Sequence, residues 1–275
     1  MTVRDRHVLI TGGSSGIGFA LARRCAAVGS KVSLVARGAE KLSAAAAAIK
    51  AATPSASVIT ASADVSMEQE VLAAIATAEA ANGPVDVLIT SAGIARPGYF
   101  EEVPVEVFER TMAVNYLGSV YPLKALLPAM RKRRSGAIVL ISSGAGLVGV
   151  FGYTPYSPSK FALRGLAESL RAELKGSGVG ISIVYPPDTD TPQLAGENLT
   201  KPAETRAITA GAGLLSADDV ARAILDGLAR GAFAITPGLP MTLLYRFHSI
   251  LAPLLNWSFD RAAARGRRAS HAKGN

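Results

Sequence analysis

The chain has 275 residues, 49% of them hydrophobic, which is enough to bury the core of one large α/β domain. The formal net charge is +8, but residues 239–275 hold six Arg or Lys and one Asp and so contribute +5 of it. The rest of the chain is nearly balanced, so the composition does not favour nucleic-acid binding. Cys25 is the only cysteine, which excludes an intrachain disulfide and a cysteine-based metal site.

The first residues, MTVRDRHVLITGG, contain no apolar core of signal-peptide length before the first predicted strand. Together with the single thiol, this makes the cytoplasm the expected compartment.

Short β-rich runs alternate with helix-length segments along most of the chain. Near-continuous apolar strands in such an alternation predict a parallel sheet that is covered by helices on both faces. We therefore predict a single Rossmann-like, doubly wound α/β domain over residues 1–238, with residues 239–275 as an amphipathic, basic C-terminal extension. Ser216 is the predicted N-cap of the last helix of the domain. The seven predicted strands are residues 7–11, 31–36, 57–62, 85–90, 137–142, 180–185 and 233–236.

The first strand leads into TGGSSGIG, residues 11–18, and then into a helical pattern. Glycines in such a turn let backbone N–H groups approach a pyrophosphate at the start of the helix. The spacing differs from the G-x-G-x-x-G fingerprint, and a purely structural turn is the alternative. The predicted cofactor contacts in this turn are Gly12, Ser14, Ser15, Gly16, Ile17 and Gly18.

Arg37 directly follows the second predicted strand, where dinucleotide-binding folds usually place an acid that holds the ribose 2′-hydroxyl. Arg37 and the nearby Lys41 would attract a 2′-phosphate, so the sequence favours NADP(H) over NAD(H). The alternative is that Arg37 is simply a surface residue at a strand end. Asp64, after the third strand, is placed to hydrogen-bond the adenine edge or to act as an N-cap.

Tyr156 and Lys160 are four residues apart on one predicted helix, so their side chains share a face. An ammonium beside a phenol lowers the pKa of the phenol towards the range that proton transfer requires. Ser143 follows a central strand and is placed to polarise a carbonyl. Spacing alone does not decide between Ser142 and Ser143.

Taken together, these motifs resemble the short-chain dehydrogenase/reductase family over residues 5–238. The resemblance implies that Tyr156 is the general acid, that Lys160 lowers its pKa and binds the nicotinamide ribose, and that Ser143 orients the carbonyl. It also implies that Asn115 holds a water of a proton relay, that Thr191 contacts the nicotinamide carboxamide, and that no metal is needed. Further implied cofactor contacts are Val65, Ala92, Gly93, Pro186 and Thr189. The matching segments are TGGSSGIG, ADV, SAG, VNYLG, ISS, YSPSK and YPPDTDT.

Two positions depart from the family pattern. Thr90-Ser91 stands where the family usually has Asn-Asn, and Pro186-Pro187 stands where it usually has Pro-Gly. The first departure puts one contact to the sheet or cofactor in doubt.

YPPDTDTP, YSPSKFALRGLAESL and KPAETR are similar to one branch of the family, the 3-ketodihydrosphingosine reductases. This resemblance implies reduction of a long-chain amino ketone with NADPH. Asp188 and Asp190 would then offer negative charge to the substrate ammonium, although both also suit turns or helix caps. A reductase of a 3-oxoacyl thioester or a steroid would share the catalytic residues, and a non-catalytic NADP(H)-binding sensor is a remote alternative.

Residues 186–213 are rich in Pro, Gly and polar residues and are predicted to form a mobile loop over the site. The C-terminal extension has an apolar helical face, with Tyr245 and Trp257 suited to a membrane interface and a basic stretch at 261–273. The apolar face consists of Leu243, Phe247, Leu251, Leu254 and Leu255.

Three roles remain open for this extension: peripheral contact with the cytoplasmic membrane face, a wall of the substrate tunnel, or a subunit contact. A simple membrane crossing is not favoured, because Arg246, His248, Pro253 and Asn256 interrupt the apolar span. The family resemblance further implies a homodimer or homotetramer formed through the helix of Tyr156 and the helix before it.

Overall fold

The computed structural model describes residues 1–209 and 213–273, and its centre is a seven-stranded parallel sheet. In the order β3-β2-β1-β4-β5-β6-β9, the direction of strand addition reverses between β1 and β4. Ligands of open α/β sheets bind at such a switch point, outside the carboxyl ends of the strands. The strands are β1 His7–Thr11, β2 Lys31–Ala36, β3 Val58–Ser62, β4 Val87–Thr90, β5 Gly136–Ile141, β6 Val179–Val184, β7 Thr189–Asp190, β8 Leu215–Ser216 and β9 Ala234–Ile235.

The predicted fold class and the seven parallel strands are confirmed, with ends that differ by one or two residues. The largest difference is in β4, which was predicted from residue 85 but begins at Val87. The two residues before it, Val85 and Asp86, make hydrogen bonds outside the ladder, with the Glu79 carboxylate and the His7 carbonyl.

Helices cover both faces of the sheet. One face packs against α1, α2 and α9 and buries Val8, Ile10 and Leu34, and the other packs against α3, α5 and α6 and buries Leu9 and Val35. This alternation follows from the two-residue period of a strand. The helices are α1 Gly16–Ala27, α2 Ala39–Ala52, α3 Glu68–Asn82, α4 Val105–Met112, α5 Gly118–Arg133, α6 Tyr156–Glu173, α7 Pro192–Thr200, α8 Ala203–Thr209, α9 Ala217–Ala229 and α10 Leu239–Lys273.

Helix α9 begins where the sequence predicted. The Ser216 hydroxyl accepts a hydrogen bond from the Asp219 backbone N–H at 3.0 Å, which confirms Ser216 as the N-cap.

The segment predicted as an irregular loop, residues 186–213, contains regular structure. Strand β7 pairs with β8, and α7 and α8 follow β7 along the chain. The Thr191 hydroxyl accepts from the Leu194 N–H at 3.3 Å and Pro192 occupies the first turn of α7, so this helix has the start signals that its polar composition obscured. Residues 210–212 of the predicted loop lie outside the described residues.

The predicted C-terminal extension is one helix, α10, which folds back against the domain. Ala262 and Ala263 are buried, and a Cβ added at Gly266 would lie 2.7 Å from the Glu204 Cα, so α10 and α8 are in backbone contact. The side chain of Leu251 lies outside the described part of the chain. Among residues 1–209 and 213–273, no helix combines the length and the apolar character needed to span a bilayer.

Candidate active site

A cavity of about 930 Å³ lies at the carboxyl ends of the strands beside the switch point. One end is formed by the turn between β1 and α1 and by the end of β2, and the other by β5, α6 and α7. This volume falls in the range of cofactor and ligand sites. The sequence-predicted cofactor and catalytic residues are therefore brought to one continuous space.

The turn after β1 has a shape that only glycine permits. Gly12 and Gly16 have φ angles of 70° and 54°, and a Cβ on Gly12 would lie 2.7 Å from the Ala92 Cα. A Cβ on Gly18 would lie 2.4 Å from the Gly12 carbonyl oxygen, so Gly18 supports the turn and does not line the cavity. Ser14, Ser15, Gly16 and Ile17 do line it, as do Val65, Ala92 and Gly93. The turn fits a dinucleotide pyrophosphate at the start of α1.

Arg37 and Lys41 line the outer end of the same cavity and are exposed. Neither side chain forms an ion pair or a hydrogen bond with another described residue, so both are available to a ligand. Glu40 also lines this end, which leaves one net positive charge at the position where a 2′-phosphate would lie. The residues present thus fit the phosphorylated dinucleotide.

Asp64 lines the cavity, but its carboxylate already has protein partners. It accepts hydrogen bonds from the Ser66 N–H at 3.0 Å and the Ser66 hydroxyl at 2.7 Å, and it pairs with Arg110. Partial burial raises the pKa of Asp64, but these hydrogen bonds outweigh that effect and lower it to about 2. The alternative role as N-cap of α3 is wrong, because Met67 holds that position. The adenine contact stays a prediction.

The catalytic side chains meet at the inner end of the cavity. Ser143 and Gln193 lie close enough to the Tyr156 hydroxyl to lower its pKa. The Lys160 ammonium lies 5.5 Å from the centre of the Tyr156 ring and donates to the Ile141 carbonyl at 3.0 Å. Ser142 instead donates to the Lys160 carbonyl at 3.0 Å and is buried. Ser143, and not Ser142, therefore lies next to the Tyr156 hydroxyl.

Burial controls the proton affinity of this site. Burial raises the pKa of Tyr156, the charge of Glu197 raises it further, and hydrogen bonds with Ser143 and Gln193 oppose both. Burial lowers the pKa of Lys160 to about 8, although the charge of Glu197 acts in the opposite direction. The sequence predicted that Lys160 lowers the Tyr156 pKa, but in the protein alone desolvation is the larger effect. A protonated phenol at neutral pH is the form that a proton donor requires.

Asn115 lies in a π-helical turn, Ala113–Leu117, and is fully buried. Its side-chain amide accepts from the Ile94 N–H at 2.8 Å and donates to the Ile94 carbonyl at 3.0 Å and to the Ser159 hydroxyl at 2.9 Å. These bonds fix the segment after β4 against α6, and π-turns of this kind are frequent at functional sites. The predicted water relay stays a prediction.

The segment after β6 contributes further predicted residues. Pro186, Thr189 and Thr191 all line the cavity. The Thr189 hydroxyl donates to the Pro187 carbonyl at 2.9 Å, and the Pro186 carbonyl accepts from the Gly144 N–H at 3.0 Å. The Thr191 side chain lies beside Gly16, at the junction of the two ends of the cavity.

The two aspartates that were predicted to contact a substrate ammonium lie in different positions relative to the cavity. Asp188 lines the cavity, but its carboxylate pairs with the buried Lys201 ammonium at 3.7 Å. Asp190 is exposed and does not line the cavity, because successive side chains of β7 point to opposite sides. The prediction for Asp190 is therefore wrong, and Asp188 already has a cationic partner.

Of the two departures from the family pattern, Thr90 has the clearer structural effect. It is buried at the end of β4, and its hydroxyl has no hydrogen-bond partner within the described residues. Ser91, next to it, lines the cavity.

Several residues that line the cavity were not predicted from the sequence. They come from the segment before α6, from α7 and from α10, and no local pattern sets them apart from ordinary polar or apolar residues. A buried glutamate within a polar stretch has no signal in a single sequence. The residues are Tyr153, Gln193, Leu194, Glu197, Met241, Leu244 and Phe259.

The sequence model of the short chain dehydrogenase family matches residues 6–202. The chain belongs to the short-chain dehydrogenase/reductase family. The predicted resemblance is thus confirmed, and it extends to solved structures. The crystal structure of a short chain dehydrogenase/reductase from Burkholderia phymatum in complex with NAD is similar with a TM-score of 0.81 and 26% identity, covering 92% of this chain and 96% of that one. Levodione reductase is similar with a TM-score of 0.75 and 28% identity, covering 85% of this chain and 96% of that one.

Two curated relatives of this short-chain dehydrogenase/reductase are more similar in sequence. The 3-dehydrosphinganine reductase of Danio rerio is 45% identical over 241 residues, covering 86% of this chain and 73% of the relative. The 3-ketodihydrosphingosine reductase of Bos taurus is 44% identical over 251 residues, covering 90% and 76%.

In a short-chain dehydrogenase/reductase, the bound nicotinamide dinucleotide supplies the hydride. The glycine-rich turn would hold its pyrophosphate, and Gly93, Lys160 and Thr191 surround the space between the two ends of the cavity. Tyr156 and Ser143 lie together at the other end of the cavity, where they would give a proton to a carbonyl oxygen and orient it. The protein groups would therefore bind the dinucleotide, orient the carbonyl group and protonate its oxygen.

Proposed function

We propose that this short-chain reductase converts the 3-keto group of 3-ketodihydrosphingosine to the alcohol of dihydrosphingosine (sphinganine), with NADPH as the cofactor, in sphingolipid biosynthesis. The observation that carries the proposal is the convergence of Ser143, Tyr156 and Lys160 in a cavity that has an apolar wall. The relatives at 44–45% identity, a 3-dehydrosphinganine reductase and a 3-ketodihydrosphingosine reductase, support the choice of substrate.

Each of the three catalytic side chains has its own role in this proposal. Ser143 donates a hydrogen bond to the ketone oxygen and stabilises the charge that develops there. Tyr156, protonated at neutral pH, transfers its proton to the same oxygen. The Lys160 ammonium stabilises the phenolate that Tyr156 leaves behind, because it lies close to the ring in a buried site.

The wall formed by α10 suits a long hydrocarbon chain. Met241, Leu244 and Phe259 line the cavity from this helix, and Val148 and Val150 line it from the segment after β5. An acyl chain that leaves the catalytic end would bury its methylene groups there, each contributing about 0.8 kcal/mol. This favours a lipid ketone over a small polar one.

The test is oxidation of NADPH by the purified protein with 3-ketodihydrosphingosine or with an acetoacetyl thioester. We expect turnover of the amino ketone and a loss of about 100-fold or more in Tyr156→Phe. Activity on the thioester alone would refute the sphingoid substrate.

We also propose that the enzyme contacts the cytoplasmic face of a membrane through α10. The side of α10 that does not line the cavity exposes a stripe at helical spacing, in which Ile250, Leu254 and Trp257 are 77%, 59% and 55% exposed. Leu243 and Phe247 continue the stripe. Exposed arginines at 261, 265, 267 and 268 follow it and suit anionic headgroups. A long-chain substrate could then enter from the lipid directly.

Sedimentation with vesicles of neutral or anionic lipid tests this contact. Binding should increase with the anionic fraction and should be lost in the double variant Ile250→Glu/Leu254→Glu. The matched control replaces Leu199, which is exposed on α7, with Glu. No binding by the unaltered chain would remove the membrane role.

We further propose that the chain forms a homodimer or homotetramer through α5 and α6. Two large apolar side chains are exposed at these helices: Leu117, directly before α5, and Phe161, on α6. Light scattering coupled to size exclusion should give twice or four times the chain mass, and Phe161→Glu should reduce it. A monomeric unaltered chain would refute this arrangement.

A further inference from the structure

Glu197 is a buried acid inside the catalytic cavity. It is the one buried residue of α7, with 7% of its surface exposed, and it lines the cavity together with Tyr153 and Tyr156. Acidic side chains are almost never this buried unless a partner compensates their charge. The question is what compensates this one.

Neutral donors hold the carboxylate in place. The Tyr153 hydroxyl donates to Oε2 at 2.6 Å and the Gln193 amide donates to Oε1 at 2.8 Å. A carboxylate accepts about four hydrogen bonds, so acceptor positions remain on both oxygens. The group is thus oriented but not saturated.

No cation in the described part of the chain completes the site. Among residues 1–209 and 213–273, no Arg, Lys or His forms an ion pair with Glu197. Lys201, one helical turn further on, is directed to Asp188 at 3.7 Å. The charge of Glu197 raises the pKa of Lys160, but the Lys160 ammonium donates its hydrogen bond to the Ile141 carbonyl. A buried negative charge therefore faces a ligand cavity without a paired cation.

The position is close to the reacting group. Gln193 donates to Glu197 and lies close enough to the Tyr156 hydroxyl to lower its pKa. The Tyr153 and Tyr156 rings are 5.6 Å apart. The carboxylate therefore lines the same end of the cavity as the proton donor, where a substituent on the carbon next to the ketone would lie.

We propose that Glu197 is the residue that recognises the substrate ammonium, and that it selects α-amino ketones over ketones that lack the amino group. This inference rests on the proposed function and names the residue that sets its specificity. An ammonium seated on Glu197 would supply the missing positive charge inside the cavity, where the local dielectric strengthens the pair.

The same contact would assist the chemistry. The charge of Glu197 raises the pKa of Tyr156, and a bound ammonium offsets that charge. Tyr156 then becomes a stronger acid only when an amino ketone is present. Selection would consequently appear in kcat as well as in KM.

The test compares 3-ketodihydrosphingosine with the same ketone lacking the amino group. Glu197→Gln should lower kcat/KM for the amino ketone by about 30-fold or more beyond any change that it causes with the analogue. Equal losses on both substrates, or no loss on either, would overturn the inference.

The matched control is Glu204→Gln. Glu204 is a buried glutamate on the neighbouring helix α8 that accepts a hydrogen bond from the Tyr99 hydroxyl at 3.0 Å, but it does not line the cavity. The ratio of the two kcat/KM values should not change in this variant. A change as large as that in Glu197→Gln would point to a general effect of losing a buried acid and would overturn the inference.

A second measurement needs no variant. With the unaltered enzyme, dihydrosphingosine should inhibit at least about tenfold more tightly than the same diol without the amino group. Equal inhibition would overturn the inference even if Glu197→Gln does not fold.

If the unaltered enzyme reduces the thioester and not the amino ketone, the proposed function itself fails. If it reduces the amino ketone but Glu197→Gln shows no selective loss, only this inference fails.

Discussion

Neighbouring residues of the same type have different roles in this site, and their hydrogen-bond partners decide which role each one has. Ser142 and Ser143 are adjacent, yet one bonds to the α6 backbone and the other faces Tyr156. Two acids differ in the same way: Asp188 pairs with Lys201, whereas Glu197 has no paired cation among the described residues, so they offer different charges to a ligand. A residue type at a given spacing therefore marks a candidate, and its partners assign the function.

The two serines give a direct comparison. Ser143→Ala should lower kcat by about 100-fold, because the developing charge on the ketone oxygen loses a donor. Ser142→Ala should lower the free energy of unfolding by about 1–2 kcal/mol, because the buried Lys160 carbonyl loses its donor. Steady-state kinetics and chemical denaturation of both variants measure the two effects. If both serines behaved alike, the assignment of Ser143 would be wrong.

The pKa of Lys160 predicts how reduction depends on pH. Burial lowers this pKa to about 8, so the ammonium is present below pH 8 and is lost as the pH rises above it. Without the positive charge the Tyr156 phenolate is less stable, and kcat/KM should fall on the alkaline side. The profile is best measured with the ketone that lacks an amino group, so that no substrate amine titrates. A flat profile up to pH 10 would contradict the prediction.

Arg37 should determine the preference between the two dinucleotides. In Arg37→Glu we expect the KM for NADPH to rise by about 30-fold or more, because a carboxylate repels the 2′-phosphate, while NADH is used as well as before or better. Lys50→Glu, an exposed charge reversal on α2 away from the cavity, controls for the change in net charge. An unchanged ratio of the two KM values would exclude Arg37 from cofactor selection.

At the scale of elements, α10 has two sides with different surroundings. One side contributes Met241, Leu244 and Phe259 to the cavity, and the other exposes the apolar stripe. The helix is thus a wall of the cavity, which agrees with one of the three roles that the sequence left open. The two sides also allow lipid contact and substrate contact to occur together.

The contact between α10 and α8 should be sensitive to side-chain size at Gly266. A Cβ there would meet the Glu204 backbone at 2.7 Å, so Gly266→Val should cost about 1–3 kcal/mol through overpacking. The melting temperature should fall by several degrees, and activity should decline more on a long-chain ketone than on a short one. Arg265→Ala, an exposed neighbour, provides the control. Equal melting temperatures would mean that this contact contributes little.

For the whole molecule, periodicity and alternation predicted the fold because a covered parallel sheet requires continuous apolar strands separated by helices. The same logic placed the glycine turn, Arg37, Ser143, Tyr156 and Lys160 at the carboxyl edge of the sheet. It did not predict α7 and α8, because their start signals lie within a stretch whose polar composition resembles a loop. Nor did it find Glu197, because burial of a polar residue is a tertiary property.

The sequence by itself determined the sheet, the cofactor turn and the order of the catalytic motifs, since each of these is encoded within a few consecutive residues or in a repeating pattern. Tertiary contacts were needed to show which serine lies next to Tyr156, which acid has no paired cation among the described residues, and that α10 lines the cavity. These depend on contacts between segments that lie far apart in the chain, and on which side chains burial removes from water.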